Sequence, residues 1–478
     1  MRKVFVSFVF CCFTLLGRAQ IDTVLLNEAA AHLFPSFPVK SSYTSLIDTR
    51  VGFAYAYSAN MESGLGIYDI SVTGNINVSL NLPISTFNGL DVATLEQRGN
   101  SLIIGIGDFQ VNNNTASGIA ILDISNPLMP TLKDLWDTTF FTHGISHLCI
   151  EGNYVYASTM TMGILIFDIS DEQNIVFKSH IQPDLNFPSP SGNAHNARGL
   201  KVKNDTLYVC FDRGGLRVID VTNKNNPIEF YKYINSSLNS MAAAAYNDIV
   251  IKDNYAFVSV DYCGLEVIDI SAIPYIAVQW FNPWNCNTAN WSGAALHTNE
   301  LILAQNDSLL FVTAGQSDLF VFDVTNPLNT SMIGEFVHLN DTLATHGLDV
   351  YQNKVILSFI HTPVHIPPFT PFFADPGGLK LLNYQMQTVT NTIDLKQDSR
   401  KQPNLYPNPN NGNVVNIESE FQINQIIILD VLGQCLYSHS AIGKRQIRLD
   451  ATTWTSGTYF VSIVSALETH QVKLLIQK

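Results

Sequence analysis

Between residues 43 and 397 the chain alternates short apolar runs with polar turns, and one run recurs nearly unchanged. GLGIYDIS begins at Gly64, GIAILDIS at Gly118, GILIFDIS at Gly163, GLRVIDVT at Gly215, GLEVIDIS at Gly264 and DLFVFDVT at Asp318. A degenerate seventh copy, GLKLLNYQ, begins at Gly378. Two β-rich runs joined by a tight polar turn precede each copy, and a fourth run follows it, as in IEFYKYI from Ile228. The runs are apolar on both sides, the pattern of sheets covered on both faces. Radially stacked four-stranded sheets bury both faces, and a period of about 50 residues fits propeller blades. The expected fold is therefore all-β, a seven-bladed β-propeller followed by a small C-terminal β-sandwich. A linear β-solenoid is the competing architecture, but its repeats are normally shorter.

The ends of the chain read differently. Arg2 and Lys3, an apolar run from Val4 to Leu16, and the small residues Gly17 and Ala19 form a secretory signal, with cleavage expected before Gln20. The organisation expected is a signal peptide at 1–19, an N-terminal segment at 20–42, the propeller at 43–397, a polar linker at 398–410 and the terminal domain at 411–478. No segment after the signal is apolar enough to span a bilayer. The terminal segment alternates strand-like runs with Gly turns, as a small sandwich does; alone, it is also compatible with a carbohydrate-binding module.

The strand reading LRVID and LEVID resembles the LVIVD repeat, which implies a propeller on secreted or surface proteins and no common activity. YPNP (Tyr406–Pro409), ILDVLGQ (Ile428–Gln434), GTYFVSI (Gly457–Ile463) and the terminal VKLLIQK resemble the type A C-terminal sorting domain of type IX secretion. That resemblance implies a Gram-negative cell, recognition by the type IX machinery, and release or surface attachment after crossing the outer membrane.

Composition narrows the partners. The formal charge is −14, and signal cleavage removes three basic residues and no acid. A polyanion is repelled, so nucleic acid is not expected as a partner. Cys149 and Cys210 lie in strand-like runs, while Cys263 and Cys286 flank loops and are candidates for a disulfide.

Chemistry is expected where the long connections gather. In an antiparallel blade the second-to-third and fourth-to-first connections emerge on one face, and here these are the long ones. Aligning the first residue of each inner strand gives Thr44, Asn88, His143, Arg198, Asn247, Asn299 and His346 as a polar ring at the channel mouth. It reads as a ligand site anchored by Arg198 and the histidines, or simply as a solvated rim. The dipeptide His-Gly opens two of these strands, at His143 and His346. On the loop face, Asp108, Asp212 and Asp261 are candidate ligand groups or turn formers. Trp284 and Trp291 are candidate stacking platforms or packing residues. His361 and His365 have the spacing of a helical metal pair, but the Pro-rich stretch after them precludes a helix. The aspartate of each DIS motif is read as a turn former. No GxSxG, HExxH, P-loop or dinucleotide fingerprint is present, and neither a metal nor a cofactor is expected. The expected function is binding of a glycan, peptide or protein through the long-loop face. The alternative is a hydrolase or lyase at the channel mouth.

Overall fold

The structure, a computed structural model, describes residues 21–35, 40–72, 74–108, 116–188, 195–239, 245–281, 298–315, 318–338, 341–361, 374–389, 403–430, 435–464 and 469–478. The chain divides into two units, 1–390 and 391–478. The first unit holds seven four-stranded antiparallel sheets, six of them ordered from inner to outer strand along the chain. The inner strands are Thr44–Ile47, Val92–Arg98, His147–Glu151, Leu200–Lys203, Tyr246–Lys252, Leu301–Ala304 and Ala344–Tyr351. We number the blades in that order.

The repeated run forms the third strand of each blade. It is the most apolar run because it lies between two strands and beneath the neighbouring sheets: Leu165, Ile166 and Phe167 are fully buried, as are Leu216, Val218 and Ile219. Its final aspartate makes the turn that ends it. In all six copies Oδ1 accepts the N–H two residues on, at 2.8–2.9 Å: Asp69 from Ser71, Asp123 from Ser125, Asp168 from Ser170, Asp220 from Thr222, Asp269 from Ser271 and Asp323 from Thr325.

The seventh blade is assembled from both ends of the first unit. Lys354–Ile360 and Gly378–Val389 follow its inner strand, but its outer strand is Ile21–Leu33. That strand pairs antiparallel with Gly378–Val389 from Ile21↔Val389 to Leu33↔Gly378, with one bulge near Glu28. The N-terminal strand thus closes the ring. Val24 joins Leu309, Phe311, Phe336 and Leu382 in the core between blades 6 and 7.

In the second unit two 16-residue strands, Val414–Leu429 and Cys435–Asp450, pair along their length with register shifts near Glu418. Asn404–Tyr406 pairs with the first half of Val414–Leu429, and Gly457–Val464 with its second half. The bent strands turn one sheet over on itself into a nearly closed barrel, so the two faces of the expected sandwich are continuous. Ile417, Ile426, Ile428, Val461, Ile463 and Leu474 fill it.

Candidate functional site

The inner strand is the free edge of each sheet, and its channel-side N–H and C=O groups lack a strand partner. Side chains of the preceding blade supply one. Ser146 Oγ donates to Ala197 O (3.0 Å), Asn247 Nδ2 to Thr298 O (2.8 Å), Asn299 Nδ2 to Thr345 O (3.3 Å) and His346 Nδ1 to Tyr43 O (3.2 Å). Carboxylates serve the N–H groups deeper in the channel. Asp248 Oδ2 accepts from Leu301 N (3.1 Å), Glu300 Oε2 from Leu348 N (3.1 Å) and Asp349 Oδ2 from Ile47 N (2.7 Å). Polar residues therefore line an otherwise apolar ring because they stitch its blades together.

Five of the seven expected mouth residues lie at that level. Thr44 is buried and donates to Glu300 Oε1 at 2.8 Å. Asn247 and Asn299 are buried, and they share a narrow space of about 10 Å³ with Arg198, His346, His147 and Glu300. Asn88 and His143 lie elsewhere. Asn88 caps a short 3-10 helix (Ile84–Phe87) in a left-handed conformation and donates to Asp137 at 2.6 Å, four residues before its inner strand starts. His143 likewise precedes its strand and bonds Thr161 Oγ1 at 2.9 Å. Strand pairing instead places Ala93 and Ser146 at the ring level, because Thr94 pairs with Gly105 and His147 with Ser158.

The two His-Gly dipeptides thus occupy different registers. A Cβ on Gly347 would meet Tyr43 O at 2.2 Å, and one on Gly144 would meet Gly107 O at 1.9 Å. Each glycine lets the backbones of adjacent blades touch, but only His346 lies within its inner strand.

The loop aspartates also stitch blades. Asp108 O accepts from Gly144 N (3.0 Å), Asp212 O from Tyr246 N (3.0 Å) and Asp261 O from Thr298 N (2.8 Å). The Asp212 and Asp261 side chains are buried, and burial raises both carboxyls above their usual range despite the nearby Arg198 cation. Arg198 Nη1 lies 3.9 Å from Met160 Sδ, and its Nε is buried with no partner among the described residues. Trp284, Trp291, Cys286 and His365 lie outside the described residues; Cys263 is disulfide-bonded.

The inner-strand charges were missed by sequence reading. Glu96, Lys201, Asp248, Glu300 and Asp349 line a central cavity of about 280 Å³. Burial pushes Glu96 and Asp248 up to about 7, Glu300 to about 8 and Asp349 to about 6. Burial and the Arg198 charge push His147 down to about 3, so it is neutral. The signal was a charge inside a strand-like run, as in DIVIK and GLKVK. The cavity continues to Thr49 and Gln97, at the tight turns opposite the long connections. The cavity therefore extends toward the face away from the loops.

One long connection, 182–199, is anchored to blade 4. Arg217 is fully buried; its Nη1 donates to Asp184 O and Glu229 Oε1 (both 2.8 Å), and its Nη2 to Phe187 O (2.6 Å). Glu229 Oε2 accepts from Asp184 N at 2.9 Å, and His195 Nε2 also donates to Phe187 O at 3.0 Å. Arg217→Met strips these acceptors and strands Glu229. It is expected to cost about 3–5 kcal/mol in urea unfolding and to speed proteolysis within 182–199. Unchanged cleavage would show that the anchor does not hold the loop.

Comparison with known proteins agrees with this architecture. The LVIVD repeat profile matches residues 114–138, 146–182, 194–234 and 245–280. The secretion system C-terminal sorting domain profile matches residues 404–477. No curated protein matches the chain. Similar solved structures include the WD40 repeats of RRP9, at 9% identity and TM-score 0.51, covering 76% of this chain and 100% of that one. A chain of a mitotic checkpoint complex (10%, 0.50, 80% and 98%) and U3-55K (9%, 0.50, 73% and 98%) are similar to it as well. At such identities the likeness shows the fold alone. With its repeats, its ring of seven sheets and its matched tail, the chain is an LVIVD-repeat β-propeller carrying a C-terminal sorting domain of type IX secretion.

Proposed function

We infer that the chain is an exported binding protein that takes a glycan, peptide or protein on the face bearing its long connections. The sorting domain indicates export to the cell surface or secretion, with the type IX machinery as its partner. The observation that carries the reading is the asymmetry of the two faces. One has turns as short as Gly152–Asn153; the other has the connections 182–199, 282–300 and 361–377. A rigid scaffold presenting long, anchored connections is the common architecture of a recognition surface. Phe140, 73% exposed in the connection between blades 2 and 3, supplies apolar area there, and the sequence of the connection 282–300 contains Trp284 and Trp291.

The hydrolase or lyase alternative loses support from the mouth geometry, since Asn247, Asn299 and His346 spend donors on backbone carbonyls. Glycan arrays and pull-downs from cell-surface and matrix material with the mature protein test the binding reading. Retention of a defined glycan or protein is expected; no retention from any such source contradicts it.

A further inference from the structure

The cavity between the inner strands holds two ionisable groups that the blade stitching does not use. Asp248 has both oxygens engaged, by Ile249 N (2.8 Å) and Leu301 N (3.1 Å). Asp349 is held by Val350 N (2.8 Å) and Ile47 N (2.7 Å), and Glu300 by Thr44 Oγ1 (2.8 Å) and Leu348 N (3.1 Å). Glu96, from blade 2, and Lys201, from blade 4, line the same cavity. Neither has a hydrogen-bond or ion-pair partner among the described residues. They are too far apart to pair, yet each lies within the other's field. Between them blade 3 contributes His147, whose buried Nδ1 has no partner among the described residues.

A carboxylate and an ammonium in a walled space gain most when each meets an opposite charge. The volume, about 280 Å³, lies at the small end of ligand pockets and suits a molecule of few heavy atoms. A simple amine would satisfy Glu96 and leave Lys201 facing a like charge. A simple carboxylate would satisfy Lys201 and meet Glu96, Asp248 and Asp349. A molecule carrying both charges satisfies both walls.

We propose that this cavity binds a small zwitterion of the α-amino-acid class, its ammonium held by Glu96 and its carboxylate by Lys201. The site opens on the turn face, so it is separate from the recognition surface inferred for the loop face, and either can fail alone. The neutral His147 imidazole is placed to hydrogen-bond the ligand between the two charges.

The test is calorimetric titration of the full chain with L-alanine, ethylamine and propionate, three probes of similar size. Alanine is expected to bind in the millimolar range, and the other two about tenfold more weakly or less. Glu96→Gln and Lys201→Met should each weaken alanine about tenfold, because each removes one charge-assisted contact. The exchanged pair, Glu96→Lys with Lys201→Glu, should regain binding, since the ligand can turn round. Near-ultraviolet circular dichroism checks that each variant keeps the native packing. No heat from alanine at about 50 mM, equal affinity for ethylamine or propionate, or single variants that bind like the parent would each overturn the proposal.

Discussion

Val24→Asp is expected to destabilise the first unit by about 4 kcal/mol, because it places an unpaired carboxylate in the seam that closes the ring. Val24 is 4% exposed and packs with residues of blades 6 and 7. Its carbonyl lies so close to blade 6 that a Cβ on Gly334 would meet it at 2.8 Å. The neighbours packed on it in that core include Leu309, Phe311, Phe336 and Leu382, whose side chains offer a carboxylate no partner. Val24→Ala, which only removes volume, should cost about 2 kcal/mol. Urea unfolding of the full chain measures both. If the aspartate variant lies within about 1 kcal/mol of the parent, the N-terminal strand does not close the ring. The strand begins one residue after the expected signal cleavage point and pairs with the last blade, so closure must await synthesis of the whole unit.

Stability of the propeller should fall as pH rises from about 5 to about 8, by about 3 kcal/mol. Burial raises the folded-state values of Asp349 to about 6, of Glu96 and Asp248 to about 7, and of Glu300 to about 8. A group raised on folding binds more protons in the folded chain than in the unfolded one. Its contribution is therefore complete below the unfolded value and is lost as pH climbs through the folded value. Water in the cavity screens these charges, which keeps the expected total well below the sum of the separate shifts.

The acid limb is set by other groups. Against the penalty of burial, Lys133, Ser101 and Arg98 hold Glu172 down at about 2, and the Lys232 ammonium holds Asp184 at about 2. Those contributions are lost only as pH falls below about 4. Buried neutral His147, held down at about 3, also loses its contribution as pH falls below about 6.5 and so opposes the carboxyl groups there; the optimum should therefore lie near pH 5–6, with the fall steepest above about pH 6.5. Urea midpoints at about pH 5 and pH 8 decide the matter, and Glu300→Gln, which keeps an acceptor oxygen, should flatten the slope. A midpoint that rises with pH would contradict the buried-acid account.

The features legible in the sequence are those repeated in every blade. The third strand is covered on all sides, so its apolar run and terminal aspartate vary little, and Asp69 through Asp323 make the same turn. The inner strand was harder to place because its register is the part that changes. Bulges shift its pairing at Ala93, Asn247 and His346, and the connections leading into it differ in length. His143 and Asn88 were misaligned for that reason: a shared dipeptide stood in for a shared register. The closing strand was illegible because IDTVLLNEAAAHL resembles none of the other outer strands, and its partner lies over 300 residues away. Glu96 and Lys201 were passed over because a charge within an apolar run reads as a surface position unless the strand is known to line a channel.

The claim most in need of a direct test is that recognition belongs to the loop face. The measurement is binding of the mature protein to intact cells and to extracted surface polysaccharide, compared for two sets of variants. Trp284→Ala and Trp291→Ala, in the connection 282–300, and Phe140→Ser, in the connection 139–146, alter the long connections; Val51→Ser and Met129→Ser, at residues 94% and 73% exposed, alter the turns of the opposite face. The account predicts a loss of about tenfold or more for the first set and none for the second. Binding that survives the first set and disappears with the second would contradict it.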